Sequence, residues 1–370
     1  MSVKSLDITV DSAFKPTPPP VLIPASVIRE FLRQQLPILI TLITLGFAVA
    51  WLQYGYIPGG DRPFPLAGIE VPVWHIIWVG VWTGFTMALV GEASGIFALP
   101  YTISILRFVN AHVSPTMLVL TCINPIGALM GFRRSGQWNL NLAAAVCLGG
   151  VAGGLIGPFL RASVLSNAET FRFAIGLMLT FVALHLSYHA VVDYMRHGRV
   201  LGVDIAAKGK RPDKISIETI AFSFFWIQIR WGSETRRYSN IALFLTGLGV
   251  GIIASALGVG GGFLLVPIFA VFYRLPVYIM VAATIPFVIT LSFTGLVTYS
   301  TILPLLGGTA IQPEWSFGLF AAAGGMFGAW SASKVQLFVP SHFLNLMLGG
   351  VTAIAGMYYV VHYLALLLKL

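Results

Sequence analysis

Charge is what this chain has least of. Of its 370 residues only 9% are Asp, Glu, Lys or Arg, against 57% hydrophobic, and the mean hydropathy is +0.87. A water-soluble domain of this length cannot hide so much apolar surface, so the implied solvent is a lipid bilayer. Cysteine is scarce too: Cys122 and Cys147 both fall inside apolar stretches, lack CxxC spacing and read as small core residues. There is no His-Glu-x-x-His motif, and no glycine run carries the Lys-Ser/Thr of a phosphate loop. No metal, nucleotide or other cofactor is therefore expected. The N-terminus lacks the charged-then-apolar pattern of a signal peptide. Residues 1–35 read instead as a polar, disordered tail, proline-rich from Pro16 to Pro24.

The net charge of +9 does not point to nucleic acid, because the cations form no groove-like patch. Many lie between Arg196 and Arg237 (among them Arg199, Lys208, Lys210, Arg211, Lys214, Arg230 and Arg236), which suits a cytoplasmic loop under the positive-inside rule.

Glycine is what the chain does have. The run Gly258-Val259-Gly260-Gly261-Gly262 interrupts an apolar region just before Phe263-Leu264-Leu265-Val266-Pro267. Glycines of this kind tend to open a membrane helix. The pattern recurs: Gly84, Gly91, Gly95 and Pro100 return as Gly251, Gly258, Gly262 and Pro267, each pair 167 positions apart. Pro115 and Pro125 match Pro276 and Pro286 at an offset of 161, and Gly153, Gly154 and Gly157 match Gly324, Gly325 and Gly328 at 171. Chance alignment of common membrane residues does not readily produce three ordered clusters, so an internal duplication is expected.

Apolar stretches of spanning length fall near 36–56, 116–132, 141–160, 171–194, 277–301, 315–333 and 343–368, with split regions at 75–110 and 241–274. Each half of a split region is about 15 residues, near the lower limit for a ~30 Å core. Each region is thus either two short crossings or a re-entrant hairpin, and its ends emerge on one side. Lys4, Lys15, Arg29 and Arg33 place the N-terminus inside. The loop around Asp61 and Glu70 is then outside, Arg133 and Arg134 inside, and Arg274 and Lys334 inside. On that reckoning the two repeats enter the membrane from opposite faces, the inverted arrangement of many secondary transporters.

The expected fold is all-α and polytopic. Its parts are a tail, an extra helix at 36–56, a first repeat at 75–194, a basic cytoplasmic connector at 195–240 and a second repeat at 241–368. In the connector, Ile215, Ile217 and Thr219, then Ser223, Phe225, Ile227, Ile229 and Trp231, alternate as in a strand or hairpin. An interfacial helix with Ile217, Ile220, Phe224 and Trp231 on one face is the competing expectation.

A helix restarting after a glycine break presents unpaired N–H groups and a positive dipole end. Two such ends, one per repeat, could wrap a small anion without a permanent buried cation. The candidate binding residues are Gly91, Glu92, Ser94, Gly95, Gly258, Gly260, Gly261 and Gly262, with Thr121, Asn124 and Thr284 on the helices that follow. Tight packing by small residues is the ordinary alternative. Glu92 is also a proton-coupling candidate. A carboxylate in the bilayer costs about 2.5 kcal/mol or more, and burial raises its pKa. Water at a helix end, or an arginine partner, would equally accommodate it.

His185, His189 and Asp193, at i, i+4 and i+8, with His362 in the second half, could hold a metal or relay protons, but such a stripe is more often a hydrated packing edge. Ala93-Ser94-Gly95 resembles the Ser-Gly turn of intramembrane serine proteases. The equivalent turn Gly260-Gly261-Gly262 has no serine, so a hydrolase is a remote reading.

Gly-x-Gly-Gly-Gly before an apolar run and Pro, occurring twice in such a chain, resembles the sulfite exporter TauE/SafE family of membrane permeases over roughly 75–367. Gly131-Phe132-Arg133-Arg134-Ser135-Gly136-Gln137-Trp138 and Val281-Ala282-Ala283-Thr284 are further family-like pieces. The first copy departs from the pattern, with Gly91-Glu92-Ala93-Ser94-Gly95 in place of the glycine run. The resemblance implies a permease of the cytoplasmic membrane whose partners are the bilayer and a small anion: sulfite, a sulfonate or another organic anion. Without a nucleotide motif, coupling to protons or the membrane potential is expected. A passive anion channel or a sensor using the same site is the alternative.

Overall fold

The computed structural model describes residues 29, 31–90, 94–134, 140–197, 217–231, 234–275, 277–308, 310–335 and 341–368. Most of them are helical, as a bilayer demands of backbone groups that have no water to bond to. Among the described residues five helices are long and apolar enough to cross a membrane: Phe31–Tyr54, Asn141–Ser163, Ala168–Tyr188, Asn240–Leu257 and Ala283–Leu305. The protein is a polytopic membrane protein.

A π-helical turn at Phe31–Gln35 leads into α1 (Leu36–Tyr54), which buries only Gly46 and Ala50 and is apolar all round. Gly55, at φ 71°, caps it through an N–H bond to the Trp51 carbonyl. Next come α2 (Val73–Val90) and the ten-residue α3 (Gly95–Ser104), then α4 (Val113–Arg134), α5 (Leu140–Ser163) and α6 (Ala168–His197). After the connector the order recurs. There is an 18-residue α7 (Asn240–Leu257), a ten-residue α8 (Gly262–Val271), then α9 (Val277–Val297), α10 (Trp315–Val335) and α11 (Ser341–Leu367).

Helix pairing is reciprocal. α2 packs on α10 and α7 on α5; α4 packs on α10 and α9 on α5; α4 meets α9 and α6 meets α11. Missing side chains make the closest of these approaches possible. A Cβ on Gly80 or Gly84 of α2 would strike the Ala321 or Gly325 carbonyl of α10, and one on Gly247 of α7 would strike the Val146 carbonyl of α5. Small residues at such crossings let backbones touch where lipid offers no hydrophobic drive between helices.

The connector corrects the all-α expectation. Strands β1 (Ile217–Phe222), β2 (Trp226–Trp231) and β3 (Glu234–Ser239) form an antiparallel sheet in the order β1-β2-β3, with Ile227 and Ile229 fully buried. Alternating β-branched and aromatic residues outside the bilayer favour strands over the competing interfacial helix. Asn240 Nδ2 donates to the Ser223 carbonyl at 2.8 Å, and the Tyr238 hydroxyl donates to the Tyr273 carbonyl at 3.2 Å. The sheet is thereby tied to the start of α7 and the end of α8.

The opposite end is organised by Glu314, which is fully buried just before α10. Its carboxylate accepts from the Tyr54 hydroxyl (2.9 Å), the Ser316 hydroxyl (2.9 Å) and the Leu66 N–H (3.0 Å), while its own N–H donates to Thr116 Oγ1 at 2.8 Å. One acid joins the end of α1, the 55–72 loop, α4 and α10. Burial pushes its carboxyl above the usual range, against the pull of these donors.

Candidate functional site

Two helix breaks meet in the core. α7 ends at Gly258, whose φ of 82° reverses the chain while its N–H bonds the Ala254 carbonyl. Gly260 and Gly261 follow at φ 83° and 72°, conformations that cost a side-chain-bearing residue about 1–2 kcal/mol. Helix α8 restarts at Gly262. Residues 257–263 are all buried. Among the described residues, no acceptor takes the N–H of Gly260, Gly261 or Phe263.

The first break, between Val90 and Gly95, leads into α3 through the buried Ser94. A Cβ built on Gly95 would lie 2.8 Å from Thr121 Cγ2, 2.9 Å from Val259 Cα and 3.1 Å from the Gly258 carbonyl. The start of α3 therefore rests directly on the second glycine turn. Helix α4 runs beside both. Gly258 packs on Ser114, Gly260 on Thr121, and Ser94 Oγ accepts from Asn124 Nδ2 at 3.3 Å. Ser114 to Asn124 is ten residues, about 15 Å of helix, so the second glycine turn and the start of α3 are stacked along α4.

Thr121, Asn124, Ser94, Gly95, Gly258, Gly260, Gly261 and Gly262, all candidates from the sequence, are brought together and buried. Thr121 Oγ1 meets Ser292 Oγ at 3.0 Å, joining α4 to α9 behind the turns. Among the described residues the buried side-chain oxygen of Asn124 has no donor. Thr284 is buried on α9, one turn before Phe287 and Val288, which pack on Gly261 and Gly260. Gly91 and Glu92 lie outside the described residues. His362 faces Glu169 at the start of α6, 3.9 Å away, and among the described residues no three His, Cys, Asp or Glu gather as a metal site.

One residue that the sequence pattern did not single out also belongs here. Arg161 of α5 is 1% exposed, and its Nε donates to Ser114 Oγ at 3.2 Å. The signal was available: a cation closing an otherwise apolar 141–160 stretch. Arg107 and Arg274 are the described non-glycine residues at positive φ, 61° and 50°. They stand 167 positions apart, the offset of the glycine clusters. Each follows a short helix, and the next N–H returns six residues, from Phe108 to Thr102 and from Leu275 to Phe269, both at 3.1 Å. In both, arginine holds the left-handed position after the helix, where glycine is usual. Both are exposed, and Arg107 lines an open recess of about 460 Å³ with Glu70, Ile69 and Leu106.

A polytopic helical bundle whose two broken helices abut in a buried, polar-lined core has the build of an integral membrane transporter. The chain matches the family model described as sulfite exporter TauE/SafE over residues 23–186 and 76–359, and it belongs to that family. The family is one of transporters rather than enzymes. Searches of curated proteins and of solved structures found no match.

Proposed function

We propose that this protein is a permease that moves a small anion (sulfite, a sulfonate or another organic anion) across the cytoplasmic membrane. The observation that carries the reading is the contact of Gly95 with Gly258 and Val259. It puts the N-terminal ends of α3 and α8 side by side, with the N–H groups of Gly260, Gly261 and Phe263 unclaimed among the described residues. Fixed N–H donors and two positive dipole ends favour an anion. The substrate-binding residues are then Gly91, Ser94, Gly95, Thr121, Asn124, Gly258, Gly260, Gly261 and Gly262. Thr284 lies one turn away, and Glu92 is the proton-coupling residue.

The halves are inverted repeats, each contributing one re-entrant pair: α2 with α3, and α7 with α8. The reciprocal helix pairing and the matched arginine closures support this, and the distribution of charge supports a cytoplasmic N-terminus. Alternating access then needs one half to rock against the other about the stacked turns.

Reconstitution in proteoliposomes tests the reading, using sulfite, sulfoacetate, taurine, thiosulfate and short carboxylates. Concentrative movement of at least one anion, abolished by an uncoupler, is expected. Movement only down the gradient would indicate the channel, and binding of none of these anions would refute the anion site.

A further inference from the structure

Among the described residues, Arg161 is a buried cation without a buried anion. Its Nε donates to Ser114 Oγ at 3.2 Å, Nη1 to the Leu165 carbonyl, and the guanidinium lies 3.9 Å over the Phe171 ring. Tyr299 is its electrostatic neighbour, and the Tyr299 hydroxyl donates to the Ser255 and Ala256 carbonyls at 3.3 and 3.4 Å. Among the described residues no carboxylate lies within ion-pair distance of it. The described protein partners of this charge are neutral, which leaves the desolvation of a guanidinium largely uncompensated.

Its position is set by two close contacts. One turn earlier on α5, a Cβ on Gly157 would run into Ser255 Oγ, so α5 leans on the last turn of α7. Arg161 then falls just past the end of α7, level with the Gly258 turn. On its other side Ser114 bridges the two: Ser114 Oγ accepts from Arg161, and its carbonyl and Cα lie 2.5 and 2.7 Å from where a Cβ on Gly258 would sit. From Ser114 to Thr121, where Gly260 and Gly95 pack, is seven residues, about 10 Å along α4. The nearby carbonyl end of α7 offsets part of the charge. A mobile oxyanion at the turn would offset it fully, and a planar guanidinium fork matches carboxylate, sulfonate and sulfite oxygens.

We propose that Arg161, beside the Gly258 turn, forms an anion-binding position at the rim of the site and gives the permease its charge selectivity, with Ser114 only the resting partner that an anion displaces. This rests on reading that site as an anion transporter's. An arriving oxyanion takes the guanidinium from Ser114 Oγ and then passes along α4 to the donors near Gly260.

The test is anion binding by the purified full-length protein, with sulfite, sulfoacetate and acetate as probes, measured for wild type, R161M, R161K and S114A. Affinity and thermal midpoint are both recorded. R161M should weaken binding of every probe by about a hundredfold. R161K, which keeps the charge but loses the fork, should weaken it about tenfold. S114A should bind within a few-fold of wild type. Lower thermal midpoints with wild-type affinity in R161M or R161K would overturn the proposal and make Arg161 a structural tie between α4, α5 and α6. If R161M does not yield folded protein, R161K decides alone. Failure of wild type to bind any probe would instead refute the anion-transport reading, a result separable from loss in the arginine variants only.

Discussion

Gly95 and Val259 stand so close that a methyl group on Gly95 would sit 2.9 Å from the Val259 Cα. Two of the three atoms it would meet are backbone, so neither side can swing a rotamer away. Gly95→Ala should therefore part the two turns and lower transport at least about tenfold with little loss of helix content. Gly249→Ala, which meets nothing within 4 Å, is the matched control and should transport normally. Initial rates in proteoliposomes read both. Equal rates for the two variants would mean that contact between the turns is dispensable.

Gly84 and Gly251 hold matching sequence positions but unequal space. A Cβ on Gly84 would collide with the Gly325 carbonyl, whereas one on Gly251 would find its nearest atom, Gly153 Cα, at 3.1 Å. Gly84→Ala should lower the thermal midpoint well below that of Gly251→Ala. Overpacking of a tight interface typically costs about 1–3 kcal/mol. Identical midpoints would show that α2 and α10 can separate freely.

Arg107 and Arg274 should lie on opposite faces of the membrane if the repeats are inverted. Single cysteines at these exposed positions, in a background with Cys122 and Cys147 replaced by serine, can be probed with a membrane-impermeant maleimide. Arg107→Cys should label from outside intact cells and Arg274→Cys only after lysis. Labelling of both from one side would rule out inversion.

Glu314 should give the fold a pH dependence of defined sign. Its carboxyl is raised from the ordinary 4.5 by burial, so the folded state holds its proton more tightly than the unfolded state does. This stabilisation is fully present below about pH 4.5 and is lost as pH rises through the shifted value. Glu314→Gln should flatten that slope in thermal unfolding between pH 4 and pH 7. It should also cost about 1–3 kcal/mol at neutral pH, since an amide cannot accept from all the donors that converge there.

Glu92→Gln tests proton coupling by itself. Transport should survive at low pH and lose its dependence on the proton gradient, seen as equal uptake with and without an imposed pH difference. Unchanged rates and an unchanged pH profile would remove Glu92 from the mechanism.

Sequence pattern reached the split helices because a glycine turn writes itself into a chain: positions at positive φ, such as Gly260 and Gly261, have almost no substitutes. The partners of those turns were legible for a different reason. Thr121 and Asn124 are polar residues in an apolar helix, and such residues have few places to go but inward. Arg161 and Glu314 escaped notice because each stands at the edge of an apolar run, where a charge is ordinarily a membrane-face residue. Only the fold reveals that they point inward, one beneath the Gly258 turn and one beneath the 55–72 loop. The sheet was half legible: alternation from Ser223 to Trp231 favoured a strand, while the same aromatics suited an interfacial helix. Pairing with β3 decides it, and the register Ile229↔Arg236 could not be read from one strand alone.

The fastening of the connector sheet carries a mechanical consequence. Asn240 holds it to the first residue of α7, Tyr238 holds it to Tyr273 beyond α8, and the Tyr273 hydroxyl in turn meets Thr246 of α7 at 2.9 Å. Phe222, Phe224 and Phe225 project from its β1–β2 turn, exposed at 56%, 83% and 61%, as a ready foothold in lipid or on a neighbouring protein. A push there is delivered to both helices flanking the Gly258 turn. The corresponding ends of α2 and α3 are held instead by the 55–72 loop, through Asn110 Nδ2 on the Leu66 carbonyl at 2.8 Å, and by His75 on the Tyr101 hydroxyl at 2.7 Å, so a load on the sheet would reach the second break first.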